Sequence, residues 1–160
     1  MRKVLFLLLM LVPMVMNAKR YALYCETDQG ETGGAFYEND SVRFEFGYIP
    51  GSYCIKVKVI NKINEKITVV WEDTRLLDKQ ICFGTDNIFT FNEPKPDELI
   101  YGHSSTRKEI AYREGENVNM PFREKSVKER GYSFNEIILP IKFASGMVKD
   151  YKIYLYLKYE

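Results

Sequence analysis

The feature that most limits what this chain can become is the strict two-residue alternation of residues 53–60 and 67–71. In the first run Tyr53, Ile55, Val57 and Val59 share one face while Cys54, Lys56 and Lys58 share the other. That is the period of a half-buried strand, and a helix cannot satisfy it. In the second run Ile67, Val69 and Trp71 lie on one side, with Thr68 and Glu72 opposite. With residues 61–66 between them, the two runs read as a hairpin. A hairpin alone cannot bury so much apolar surface, so the rest of the chain has to supply further strands and a second layer.

It has the segments to do so. Residues 20–25 alternate and can open a sheet, residues 26–34 with Gly30, Gly33 and Gly34 read as a loop, and residues 35–38 form a short strand before a tight turn at Asn39-Asp40. Residues 41–48 place Val42, Phe44 and Phe46 on one face, and Pro50-Gly51 turns the chain into the central runs. Beyond Trp71, residues 75–77, 80–83 and 88–91 are short extended pieces, and Pro94 with Pro96 marks an exposed connection. Residues 98–112 alternate poorly. Residues 113–134 are the most polar part and read as a long excursion with one helical turn around Glu124 to Glu129. Order returns at 137–143 and 151–159. The last strand is the cleanest, with Ile153, Leu155 and Leu157 inward and Lys152, Tyr154, Tyr156 and Lys158 outward. Roughly eight to ten short strands without a helical period predict an all-β fold, a two-sheet antiparallel β-sandwich of immunoglobulin-like type with Trp71 in its core.

Residues 1–18 are expected to stand apart from this domain. Arg2 and Lys3 precede an apolar stretch from Val4 to Val12, and Met16-Asn17-Ala18 ends on a small residue, the pattern of a cleavable signal peptide. Residues 19–160 are then a single exported domain, periplasmic or extracellular, with no transmembrane span after cleavage. The alternative is that the leader stays as an anchor, although it is short for a spanning helix and Pro13 interrupts it. The whole chain has 23 basic and 22 acidic residues, and 21 against 22 without Arg2 and Lys3. The charges are interspersed, which gives no footprint for nucleic acid.

Cys25, Cys54 and Cys82 are expected to be structural. In an oxidising compartment they permit one disulfide and one thiol, or three thiols, and the spacing selects no pairing. With one histidine and no CxxC, no metal site or other cofactor is expected. Gly30-Glu31-Thr32-Gly33-Gly34 lacks the Lys-Ser/Thr of a phosphate loop.

The opening Tyr21-Ala22-Leu23-Tyr24, the stretch from Val59 to Glu72, and the closing Leu139-Pro140-Ile141 with Tyr151-Lys152-Ile153-Tyr154-Leu155 span most of the mature chain. In this order, behind a leader, they resemble small exported bacterial immunoglobulin-like β-sandwich proteins of uncharacterised function. The resemblance implies fold and export, and brings no catalytic residue with it.

No catalytic residue is assigned from the sequence. His103, followed by Ser104, Ser105 and Thr106, reads as a polar loop, because a nucleophile and base need contact and a third, orienting group. Glu72 and Asp73 are neighbours rather than carboxylates facing across a cleft. The leading expectation is an exported, non-catalytic binding or structural domain with an envelope or extracellular protein partner. The alternative is a carbohydrate-binding module that stacks sugars on Tyr154 and Tyr156, with Lys152 and Lys158 beside them; a hydrolase comes third. Against the glycan reading, those tyrosines can instead lie under the 113–134 excursion or against the side chains of a neighbouring strand.

Overall fold

The structure, a computed structural model, describes residues 21–27, 30–32, 34–86, 90, 92–114 and 117–159. The leader expected over residues 1–18 lies outside them, as does most of the 88–91 segment. Among the described residues the chain forms β1 (Tyr21–Thr27), β2 (Gly30–Thr32), β3 (Phe36–Glu38), β4 (Val42–Tyr48), β5 (Ile55–Asn61), β6 (Ile67–Val69), β7 (Arg75–Leu76), β8 (Lys79–Phe83), β9 (Glu98–Ile100), β10 (Ser105–Glu114), β11 (Asn117–Asn119), β12 (Tyr132–Phe143) and β13 (Val148–Tyr159). Among the described residues one α-helix, α1 (Glu124–Arg130), sits where the helical turn is expected, and ends on Gly131 in the left-handed conformation.

The all-β expectation holds, and every strand pairing is antiparallel. The strands follow one path of hydrogen bonding in the order β2-β1-β13-β12-β7-β8-β10-β5-β4-β3, with β6 and β9 attached through β12 and β11 through β10. The short hairpin β7–β8 is the bridge between the halves, pairing with β12 on one side and β10 on the other. The far edges nearly meet as well. The Gly34 carbonyl accepts from Cys25 N–H at 3.0 Å and the Ala35 carbonyl from Phe46 N–H at 2.8 Å, so two consecutive residues touch β1 and β4. The result is a nearly closed antiparallel sheet. Thirteen strands are described where eight to ten were expected, because three-residue strands such as β2, β9 and β11 are too short to show a period. One of them, β2, lies within the expected 26–34 loop.

The two central runs both form strands, but not a hairpin. β5 lies between β4 and β10, whereas β6 lies between β12 and β9. An alternating pattern fixes which face a strand buries and leaves its neighbour open. Here the connection is settled by Asn61, fully buried at the end of β5. Its amide donates to the carbonyls of Glu65 (2.6 Å), Ile100 (3.2 Å) and Tyr101 (3.1 Å), and its Oδ1 accepts from Ile63 N–H (3.1 Å). Those bonds turn the chain away from β5 and hold it against β9.

Pro140 accounts for the break after β6. In β12 the ladder to β6 ends at Ile141↔Val69 and resumes with β7 at Ile138↔Arg75. Pro140 has no N–H to offer in the gap, although its carbonyl accepts from Val70 N–H at 3.1 Å. The opposing chain therefore leaves the ladder and makes a 3-10 turn over Trp71–Asp73. That turn sends Trp71 into the core, where it is fully buried and meets Phe83 edge-on at 5.8 Å. The core continues through Phe44, Ile55, Val57, Ile110, Leu139 and Ile153, with the Tyr151 ring 5.1 Å from that of Phe44, linking β13 to β4.

Candidate functional site

The β12–β13 hairpin pairs over eleven positions, and β1 adds to its other side from Tyr21 to Glu26. With Ile153, Leu155 and Leu157 buried, the alternate residues of these three strands form one outer face. Register sets Tyr24, Tyr156 and Phe134 side by side in one row; Ala22, Lys158 and Tyr132 form the next, and Glu26, Tyr154 and Glu136 the next in the other direction. The Phe134 and Tyr156 rings stack at 6.0 Å and 28°, and Tyr132 tilts against Tyr156 at 6.0 Å.

All four residues expected to bind a ligand are on this face, but they are engaged by their neighbours. Lys158 Nζ lies over the rings of Tyr24 and Tyr156, at 5.1 and 5.5 Å. Lys152 bonds Glu136 at 2.8 Å and lies over Tyr154 at 5.4 Å; the bond to Glu136, then that to Tyr154, raises the pKa of its ammonium. Tyr156 is half-buried. Burial, followed by the Glu26 carboxylate that accepts its hydrogen bond, raises its hydroxyl pKa. Tyr154 and Tyr156 thus pack against the side chains of adjacent strands. The open rings belong to Tyr132 and Phe134, 44% and 50% exposed, which lie in the stretch read from sequence as a polar excursion.

Beside those two rings is a cleft between β12 and α1. Tyr132 and Phe134 of β12 line it together with Arg123, Ser126 and Arg130 of the α1 segment, Met120 and Tyr112. The first residues of β12 explain how aromatic side chains come to its rim. Ser133 and Asn135 are the inward pair here, both buried: Ser133 Oγ accepts from Arg123 N–H at 3.2 Å, and Asn135 Nδ2 donates to the Pro121 carbonyl. The polar residues pin the 121–123 segment, and Tyr132 and Phe134 are left facing outward.

The remaining candidates hold the fold. His103 is at a turn with φ 57°, and its Nε2 meets Asn64 Oδ1 at 2.7 Å; Ser104 Oγ donates to the Tyr101 carbonyl at 2.7 Å. Glu72 lies in the 3-10 turn rather than on a continuing strand, and its two oxygens accept from Gln80 Nε2 (2.8 Å) and Lys95 N–H (2.6 Å). None of the three cysteines is in a disulfide. Cys25 faces the core from β1, whereas Cys54 and Cys82 share an apolar hollow on the opposite outer surface with Tyr53, Phe83 and Ala111. Burial, and secondarily the charge of Glu109, pushes the Cys54 thiol up. Among the described residues no cluster of three or more His, Cys, Asp or Glu side chains could hold a metal ion, and no helix is long and apolar enough to cross a membrane.

No family model, curated protein or solved structure matches this chain. The geometry of its surfaces therefore carries the functional reading.

Proposed function

We propose that this chain is a carbohydrate-binding domain working through the outer face of β1, β13 and β12, with Tyr132 and Phe134 as its stacking residues. The observation that carries the reading is a difference between two outer faces of one sheet. Around β4, β5 and β10 the outer side chains are matched ion pairs: Glu38 with Lys62 (2.6 Å) and Arg43 (3.0 Å), Glu45 with Arg43 (2.9 Å) and Lys58 (3.1 Å), and Lys56 with Glu109 (3.6 Å). Cross-strand pairs of this kind satisfy one another and leave little for a ligand. Around β12 two aromatic rings stand open on a strand whose register is fixed along its length. Exposed rings on a rigid flat support offer a large contact area at little entropic cost. The leader expected at residues 1–18 would export the domain to where sugar chains are met.

The test is titration of the intact chain with a panel of oligosaccharides, followed by aromatic fluorescence. Phe134→Ala and Tyr132→Ala should each weaken binding about tenfold and leave the Tm unchanged, since both rings are half outside the fold. A panel in which nothing binds, or variants that bind like the parent, overturns the proposal.

A protein partner has its own supporting observation. β1 covers β13 only from Tyr154 onward, so among the described residues Val148–Ile153 has a strand partner on its β12 side alone. Met147 and Val148 there are 57% and 53% exposed. Strand addition at this edge would show as a crosslinked protein on pull-down, abolished by Asp150→Pro, since Tyr151 pairs through its backbone with Leu139 and the Asp150 N–H faces the open side; Lys149 and Lys152 on the same segment oppose it.

A further inference from the structure

The cleft between α1 and β12 has two unlike walls, and the difference extends the glycan reading, on which this inference rests. One wall is aromatic, Tyr132 and Phe134. The other is cationic: Ser126 and Arg130 fall on one side of α1, and Arg123, the extended residue that precedes its first turn, lines the cleft with them. Val127 is buried and anchors that turn to the core. Among the described residues neither Arg123 nor Arg130 has a carboxylate within ion-pair distance. The acids of the segment are committed elsewhere, Glu129 to Lys125 (3.8 Å) and Glu124 to the Tyr21 hydroxyl (3.5 Å). Arg123 stands close enough to the Tyr112 phenol to pull its pKa down against the larger upward effect of burial. Glu114, which acts on Tyr112 in the upward sense, is not among the residues that line the cleft.

We infer that this cleft selects acidic sugars, taking the carboxylate of a uronic acid residue on Arg123 and Arg130 while the ring of the same or the next residue stacks on Phe134 and Tyr132. A guanidinium is a planar fork that fits a carboxylate in two parallel hydrogen bonds. The chain as a whole is nearly neutral, 23 basic against 22 acidic residues. Attraction for an acidic chain would therefore be local to this wall rather than a property of the whole surface.

The experiment compares an oligogalacturonate, a sulfated heparin-type oligosaccharide and a neutral cello-oligosaccharide on the intact chain and on Arg123→Gln, Arg130→Gln and Lys128→Gln. The expected result is oligogalacturonate bound at least tenfold more tightly than the neutral chain, with most of that preference lost in either arginine variant and kept in Lys128→Gln, which is outside the cleft. Equal binding of acidic and neutral chains overturns the inference and leaves the glycan proposal standing. Acidic binding indifferent to both arginine variants overturns it as well. Tighter binding of the sulfated chain overturns the carboxylate assignment, and binding of no sugar overturns inference and proposal together.

Discussion

At Trp71 one side chain meets apolar and polar demands in different places. Its ring is sealed in the core against Phe83, while Nε1 reaches Glu98 Oε2 at 3.1 Å. Trp71→Ala should cost about 3–5 kcal/mol, the range for truncating a buried aromatic residue. Urea denaturation measures it, and a loss below about 1 kcal/mol would mean that the ring does not fill the core. Glu98 is the polar end of the same arrangement. Its partial burial favours the neutral acid, but the hydrogen bonds from Thr106 and Trp71 and the charge of Lys108 at 3.3 Å outweigh that and lower its pKa. Glu38 and Glu45 are lowered too, chiefly by Lys62 and Lys58. A carboxylate with a lowered folded-state pKa contributes its full stability above the ordinary glutamate value of 4.5. That contribution is lost as pH falls through the folded value. Stability followed from pH 6 downward should therefore fall below about 4.5, and Glu98→Gln should make the fall shallower; an unchanged profile would show that Glu98 does not feel these partners.

At the scale of elements, legibility followed how faithfully apolar residues keep to one side. β13 was open to reading because Ile153, Leu155 and Leu157 point in and its tyrosines and lysines point out. The start of β12 was opaque because it reverses that order, with Tyr132 and Phe134 out and Ser133 and Asn135 in. The signal was available: carrying the period of two back from Ile137 predicts this phase, but polar residues on the core side looked like loop. β10 hid for a related reason. Thr106 and Lys108 lie on its inner side, in register with Val59 and Val57, and are satisfied by Glu98 rather than by apolar packing. Register also answers the question that the cysteine spacing left open. Carried one residue on from Ile55↔Ile110, it sets Cys54 beside Ala111, whose other neighbour is Cys82. One strand between them puts their Cα atoms about 10 Å apart, beyond the reach of a disulfide. Cys25 faces the interior of another strand. Titration under denaturing conditions should accordingly find three reactive thiols; a single one would require the strands to sit elsewhere.

For the whole molecule, the composition announced strands in quantity but not the way they join. The deciding pieces are short: the two residues of β7, the lone Pro140, and the buried amide of Asn61, none of which leaves a periodic trace. The last link in the circuit is shorter still, the Gly34 and Ala35 carbonyls held by β1 and β4. Elsewhere the strands are joined by long ladders that must break cooperatively, whereas the link described here runs through the carbonyls of two neighbouring residues. Parting it would swing β1 and β4 away from each other like the covers of a book, with β7–β8 as the spine, and admit water first to Phe44 and Tyr151. In this protein the order in which the core gets wet is then set by where the sheet was joined, not by how deeply a side chain lies.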